Sequence, residues 1–403
     1  MWKQRGKTIA ENATYDTLLG ASFALSSDGS TLAVGAPGPR DFIYPDQKPG
    51  YVKVYWSGDG ESLTQRGHDI VGDAIRDRFG SSVSLSSDGR TIAIGSPGSP
   101  GTTHVPMAGY VRVLRMIGDN NSSWHQLGQD IDGEAIDDNF GSAVSLSQDG
   151  RTVAVGAWTN DGNGDSSGHV RIYQIESATS KWKQIGQEID GNVADEGAGY
   201  AVSLSANGMT VVIGSPRNSR NGKHSGHMKV YIYDTRLFRW KQLGQDIYGK
   251  VMSDYLGHSV DISGDGQSIA IGAPGLSNEL RGYIQVFTLE VNNSSSRWRQ
   301  VGQAIEGDSL GDYFGFSVSL SSAGRTVAVG APSSNVNAID AGYVMAYRLE
   351  DGGNWTRLGN EITGEVAFAQ LGSLVSLVVK SNEVVIGTAN LKNGQAELFS
   401  LEV

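Results

Sequence analysis

Apolar and polar residues alternate in short runs along the whole chain. In Ser82-Val83-Ser84-Leu85 every second side chain is apolar, the period of a strand with one buried face. The next run, Thr91-Ile92-Ala93-Ile94, leaves little room for polar residues, as suits a strand packed on both faces. Asp88-Gly89 lies between them and predicts a two-residue type I′ hairpin, with positive φ at both central residues. A third strand is expected at Tyr110-Val111-Arg112-Val113, after the small residue Gly109. A fourth carries Trp124-His125-Gln126-Leu127-Gly128-Gln129-Asp130-Ile131, whose indole is expected to serve packing.

This unit recurs. A Phe-Gly-type dipeptide places its glycine at Gly20, Gly80, Gly141, Gly199, Gly257, Gly315 and Gly372, at intervals of 60, 61, 58, 58, 58 and 57 residues. Seven repeats of short strands predict an all-β fold: a seven-bladed β-propeller of four-stranded antiparallel blades, with residues 1–403 as one domain. Blades begin near residues 20, 80, 141, 199, 257, 315 and 372. The fourth-strand pattern also stands at Trp2-Lys3-Gln4-Arg5-Gly6-Lys7-Thr8-Ile9, before the first repeat, whereas the last repeat ends after three strands. Residues 1–10 are therefore expected to complete blade seven and close the ring.

A second element follows each Phe-Gly position: Gly35-Ala36-Pro37, Gly272-Ala273-Pro274 and Gly330-Ala331-Pro332, with variants at Gly95-Ser96-Pro97 and Gly214-Ser215-Pro216. The pattern resembles the FG-GAP repeat of integrin α-subunit propellers and the FG-GAP-like arrays of secreted or surface proteins. That resemblance implies a recognition or adhesion module outside the cytoplasm. Its partner would meet the face formed by the strand 2–3 loops and the inter-blade connections. Integrin-like hairpins that bind calcium carry Asp-x-Asp-x-Asp-Gly. The shortened turns here offer a lone carboxylate, such as Asp149, where Ca²⁺ needs six to eight oxygens, so those sites are not carried over.

A net charge of −11 argues against nucleic acid as a partner. No stretch approaches the roughly 20 apolar residues of a membrane span, so no membrane insertion is expected, and no apolar leader follows Met1. Cysteine is absent, which removes disulfides and thiolate chemistry but decides no compartment. Asn12, Asn120, Asn121, Asn292, Asn293 and Asn354 fit the N-glycosylation pattern, by use or by chance in Asn/Ser-rich loops. The chain is expected to be a monomer that requires no cofactor.

Within so regular a chain, residues that break the pattern on the loop face are the candidates for binding a protein or polysaccharide. They are Phe42 and Tyr44 in blade one, His104 in blade two and Trp158 in blade three, where proline is expected. Blade four adds a basic group, Arg217, Arg220, Lys223 and His224, and the inter-blade connections add Tyr255 and Tyr313. Asp161-Gly162-Asn163-Gly164-Asp165 is either a calcium loop, with Asp161, Asn163 and Asp165 as ligands, or a plain turn found in no other blade. Acids three residues before the Phe-Gly glycine (Asp77, Asp138, Glu196, Asp254, Asp312) read as turn caps or as a cation-attracting ring. The alternative function is a carbohydrate-active hydrolase or lyase using the same face, although no catalytic motif is found.

Overall fold

The computed structural model describes residues 1–10, 18–38, 49–58, 62–98, 108–118, 123–292, 295–390 and 394–402. Phe42, Tyr44, His104, Asn12, Asn120, Asn121 and Asn293 lie outside these residues. The described chain is all β, in seven antiparallel sheets. Blade two shows the order: Ser82–Leu85, Thr91–Ser96, Tyr110–Ile117 and Ser123–Gln126 pair in sequence. A final pair of residues, Ile131–Asp132, returns to the start of the third strand. The fourth strand is thus broken by Gly128, which has a φ of 78°. The first strands of successive blades touch all the way around, blade seven to blade one included, and form the inner wall of a closed propeller.

Blade seven closes as the repeat predicts. Lys3–Ala10 pairs with Gln395–Glu402, matching Lys3 to Ser400 and Ile9 to Ala396 across a bulge after Arg5. One departure concerns the first hairpin. Gly89 has φ 63°, but Asp88 is not left-handed, so the predicted I′ turn does not form. Instead Gly89 N–H donates to Ser86 O in a type I turn followed by a left-handed glycine. Asp88 accepts from Ser86 Oγ at 2.6 Å and Arg90 N at 2.9 Å, so its carboxylate holds the turn from within.

The repeat signature is largely an inter-blade contact. A Cβ on Gly35 would lie 2.2 Å from Gly80 O in the next blade, and one on Gly272 would lie 2.0 Å from Gly315 O. The GAP glycine of one blade therefore packs directly on the FG glycine of the next. Ser22, Ser82, Ser259 and Ser317 add hydrogen bonds to the same FG carbonyls. At the outer edge, Trp182, Trp240, Trp298 and Trp355 each donate Nε1–H to a carbonyl of the preceding blade. In four blades the glutamine after the fourth-strand glycine (Gln129, Gln187, Gln245 or Gln303) exchanges two hydrogen bonds with the backbone of the next blade's tryptophan. Each such bond contributes about 0.5–1.5 kcal/mol net, and the pair locks the register of neighbouring blades.

Gly272→Ala is expected to lower the thermal midpoint by several degrees, at a cost of about 1–3 kcal/mol, because the methyl group meets backbone rather than a movable side chain. Gly352→Ala, with nothing within 4 Å of its added carbon, should leave the midpoint in place. Equal midpoints for both variants in a thermal melt would refute the glycine-contact account.

Candidate functional site

The loop face is built on a repeated tight turn. The residue before each FG pair is left-handed, as at Arg78, Asn139, Tyr255, Tyr313 and Gln370, with φ between 53° and 58°. The recurrent acid anchors this turn. Asp77 accepts from Ala74 N, Phe79 N and Tyr110 Oη, and Asp312 from Ser309 N, Phe314 N and Tyr343 Oη. Asp254 accepts from Lys250 N, Val251 N and Tyr283 Oη. All five acids are buried, so they serve the turns and form no exposed ring.

The position after the FG glycine heads the innermost strand, at the mouth of the axial channel. It is occupied by Ala21, Ser81, Ser142, Tyr200, His258, Phe316 and Ser373. Three consecutive blades thus place large rings opposite small residues. The Tyr200 and His258 ring centres are 5.1 Å apart, and those of His258 and Phe316 are 4.4 Å apart. His258 Nδ1 lies 3.0 Å from Phe316 O, the geometry of a donated hydrogen bond, which leaves Nε2 3.3 Å from Tyr200 Oη. Trp158 extends this arc, edge-on to Tyr200 with ring centres 5.9 Å apart. The lone aromatic that breaks the Gly-Ala-Pro pattern therefore joins three residues that the sequence reading passed over. Comparing one column of the repeat would have found them.

Arg217 stacks over Trp158, its guanidinium carbon 5.5 Å from the ring centre, and pairs with Asp195 at 2.5 Å. His224 Nδ1 is 2.8 Å from Tyr255 Oη, and its Nε2 is 3.6 Å from Asp195. Trp158, Arg217, His224 and Tyr255 are thus brought together around Asp195. Arg220 is not part of this group: it lies over Tyr248, 4.4 Å from the ring centre, and donates to its hydroxyl. Lys223 is exposed and Tyr313 half-buried, apart from the arc's contacts. The basic group read from sequence is therefore two separate arrangements.

Asp161, Asn163 and Asp165 are engaged within their loop. Asp161 Oδ1 accepts from Ser166 N, Asn163 donates to Gly191 O, and Asp165 accepts from Ser166 Oγ. The string itself stands in no other blade, but its turn recurs with other residues. Asn221 donates to Gly249 O in blade four and Asn337 to Gly364 O in blade six. Ser219 and Asn335 take the place of Asp161 in capping it. Its geometry needs a short polar side chain there, not a carboxylate. Among the described residues, the grouping with metal-ligating atoms close together is instead His169, Glu188 and Asp190, within 4.8 Å of one another.

The same face carries exposed apolar side chains at the inter-blade turns: Ile75, Ile136, Val193, Met252, Leu310 and Val366. In blade six Val336, Ile339 and Phe368 widen this rim, and Phe368 N–H bonds Ile339 O. A cavity of about 610 Å³ lies away from the arc, at the seam between blades six and seven, beside Trp2, Asn360 and Glu397. There Asn360 stands in the glutamine column, and the buried Trp2 Nε1 has no hydrogen-bond partner among the described residues.

Burial pulls the His258 imidazole down to about 4. Burial, with the neighbouring Arg171 charge second, does the same for His169. A folded value below the unfolded one, near 6.5, means that stability is complete above pH 6.5 and is lost as pH falls towards 4. The ring protons of His258 should titrate in an NMR series with a midpoint near 4, and His258→Phe should flatten the acid side of the stability curve. A midpoint near 6.5 would show that the ring is solvated.

The FG-GAP repeat family matches residues 131–173, from the end of blade two through the third strand of blade three. No curated protein sequence matches the chain. Among 424 matching chains of solved structures is a 6-phosphogluconolactonase candidate from Bacteroides uniformis, at 12% identity, covering 85% of each chain with a TM-score of 0.55. At that identity the likeness concerns the fold alone. The chain is thus a closed seven-bladed β-propeller in which residues 131–173 match the FG-GAP repeat.

Proposed function

We propose that the protein is a non-catalytic recognition or adhesion module that binds a protein or polysaccharide through the loop face. One observation carries this reading: that face repeats an exposed apolar residue at successive inter-blade turns, around a channel mouth half-lined with aromatics. Turn residues gain nothing in folding from an exposed Ile, Met or Leu, whereas apolar surface concentrated on one face is typical of an interaction site. Trp158 with Arg217 stacked on it supplies an anchor of the kind that dominates interfaces. The apolar rim favours a protein over a polysaccharide. Placement outside the cell or at its surface follows from the resemblance to integrin-like propellers.

A hydrolase or lyase on the same face would need carboxylates free to meet a substrate. Asp195 is held by Arg217, and Asp261 accepts from Leu320 N, Ser203 Oγ and Ile262 N. The recurrent acids are buried in turns. These commitments support binding over turnover.

The test is an extracellular-protein panel and a glycan array probed with the purified chain, followed by surface plasmon resonance of variants. Trp158→Ala, Leu310→Asp and Phe368→Asp should each weaken binding of a captured ligand by about tenfold or more. Phe238→Asp, on the strand 3–4 hairpin at the opposite end of its blade, should not. Loss confined to Phe238→Asp would put the interface on the other face, and cleavage of an array glycan would favour the enzymatic alternative.

A further inference from the structure

Blade three departs from its sisters at the start of its third strand. In blades two, five and six this position is Tyr110, Tyr283 and Tyr343, and each hydroxyl donates to the buried turn acid. Blade three has His169, which is 2% exposed, and its acid Asp138 is served instead by Asn160 Nδ2 and Ala135 N. Blade four also has a histidine, but there His227 Nε2 lies 2.8 Å from Glu196, though out of line for a hydrogen bond. Among the described residues His169 Nε2 is buried without a hydrogen-bond partner. An unpaired polar atom in that position is destabilising unless something binds it.

Two carboxylates lie beside this imidazole, one ligand atom of each of the three residues falling within 4.8 Å of the others. Asp190 sits directly opposite His169 in the antiparallel register, and among the described residues its carboxylate accepts no hydrogen bond. Glu188 is paired to Arg171, but both contacts, from Nε and Nη2, fall on Oε2 and leave Oε1 outside them. Arg171 is also paired to Glu134, so two carboxylates share one guanidinium while Asp190 adds a third negative charge nearby. Local charge is therefore negative even with the ion pairs made. The loop lies close above, since a carbon added to Gly162 would stand 3.8 Å from Asp190 Oδ1.

We propose that the His169 imidazole, Asp190 and Glu188 bind one first-row divalent cation, of which Zn²⁺ is the reference ion. One imidazole nitrogen and two carboxylate oxygens suit Zn²⁺, which takes three protein ligands and a water in tetrahedral geometry. Ca²⁺ is disfavoured by the nitrogen donor and by the small number of oxygens. Ligand atoms up to 4.8 Å apart draw in by side-chain rotation when the ion binds. The bound ion offsets the carboxylate excess and ties the third strand to the end of the fourth, beneath the loop that starts at Trp158. The site is independent of the partner-binding reading, and either can fail without the other.

The experiment titrates chelator-treated full-length protein with Zn²⁺ alone by calorimetry, and with Co²⁺ by visible absorption. One equivalent is expected to bind, with d–d bands for Co²⁺ and a rise in thermal midpoint on Zn²⁺ addition. His169→Tyr installs the residue found in four sister blades, so it should fold normally and lose the site. Asp190→Asn should weaken binding about tenfold or more, while excess Ca²⁺ should not compete. Absence of saturable Zn²⁺ binding by the unaltered protein, or unchanged binding by both variants, would overturn the proposal.

Discussion

The ring depends on backbone meeting backbone between blades. At Gly214 and Gly257, as at Gly272 and Gly315, the α-carbon of one blade sits where a side chain would strike the next blade's FG carbonyl. This approach lets neighbouring sheets interdigitate their Val, Ile and Leu side chains in shared clusters that straddle each blade boundary. It also explains why the repeat is written in small residues rather than in a hydrophobic code. Serines beside the contact add a hydrogen bond where no larger side chain would fit.

At the channel wall the inner edge of each first strand would present unpaired N–H groups. Ser84, Ser145 and Ser319 take them up, accepting from Leu146 N, Leu204 N and Leu377 N of the following blade. Asp261 holds the same place in blade five and accepts from Leu320 N. Burial pushes its carboxyl upward, and the donors around it pull the other way. Further down, Ser27, Ser87, Gln148, Ala206 and Gly264 pass backbone hydrogen bonds from blade to blade as far as Ser322. The propeller is thus bonded around its circumference as well as within its sheets.

The architecture was legible in the sequence because glycines and tryptophans recur at fixed spacing, and spacing survives without knowledge of partners. The closing strand was legible for the same reason. The Asp-Gly turn was misread because the dipeptide alone does not say how many residues the loop holds. The preceding serine, which bonds the aspartate, makes it longer. The basic cluster failed as a unit because Arg217 and Arg220 are near in sequence yet stack on aromatics of different blades, Trp158 and Tyr248. Tyr200, His258 and Phe316 were missed because each looks ordinary in its own blade, and only comparison across blades shows three successive large rings. The orphaned nitrogen of His169 is visible only in three dimensions, where the acid that should meet it already has other donors.

The pairing of Lys3 with Ser400 carries a consequence for how the protein is made. Blade seven needs residues from both ends of the chain, so on a ribosome its outer strand waits for about 400 residues to be synthesised. Blades two to six, joined by local hairpins and the glutamine–tryptophan pairs, have everything they require as they emerge. Closure is therefore the step of greatest sequence separation, and such long-range pairing is slow. The order of synthesis and the order of assembly coincide for most of the ring and part company at its seam.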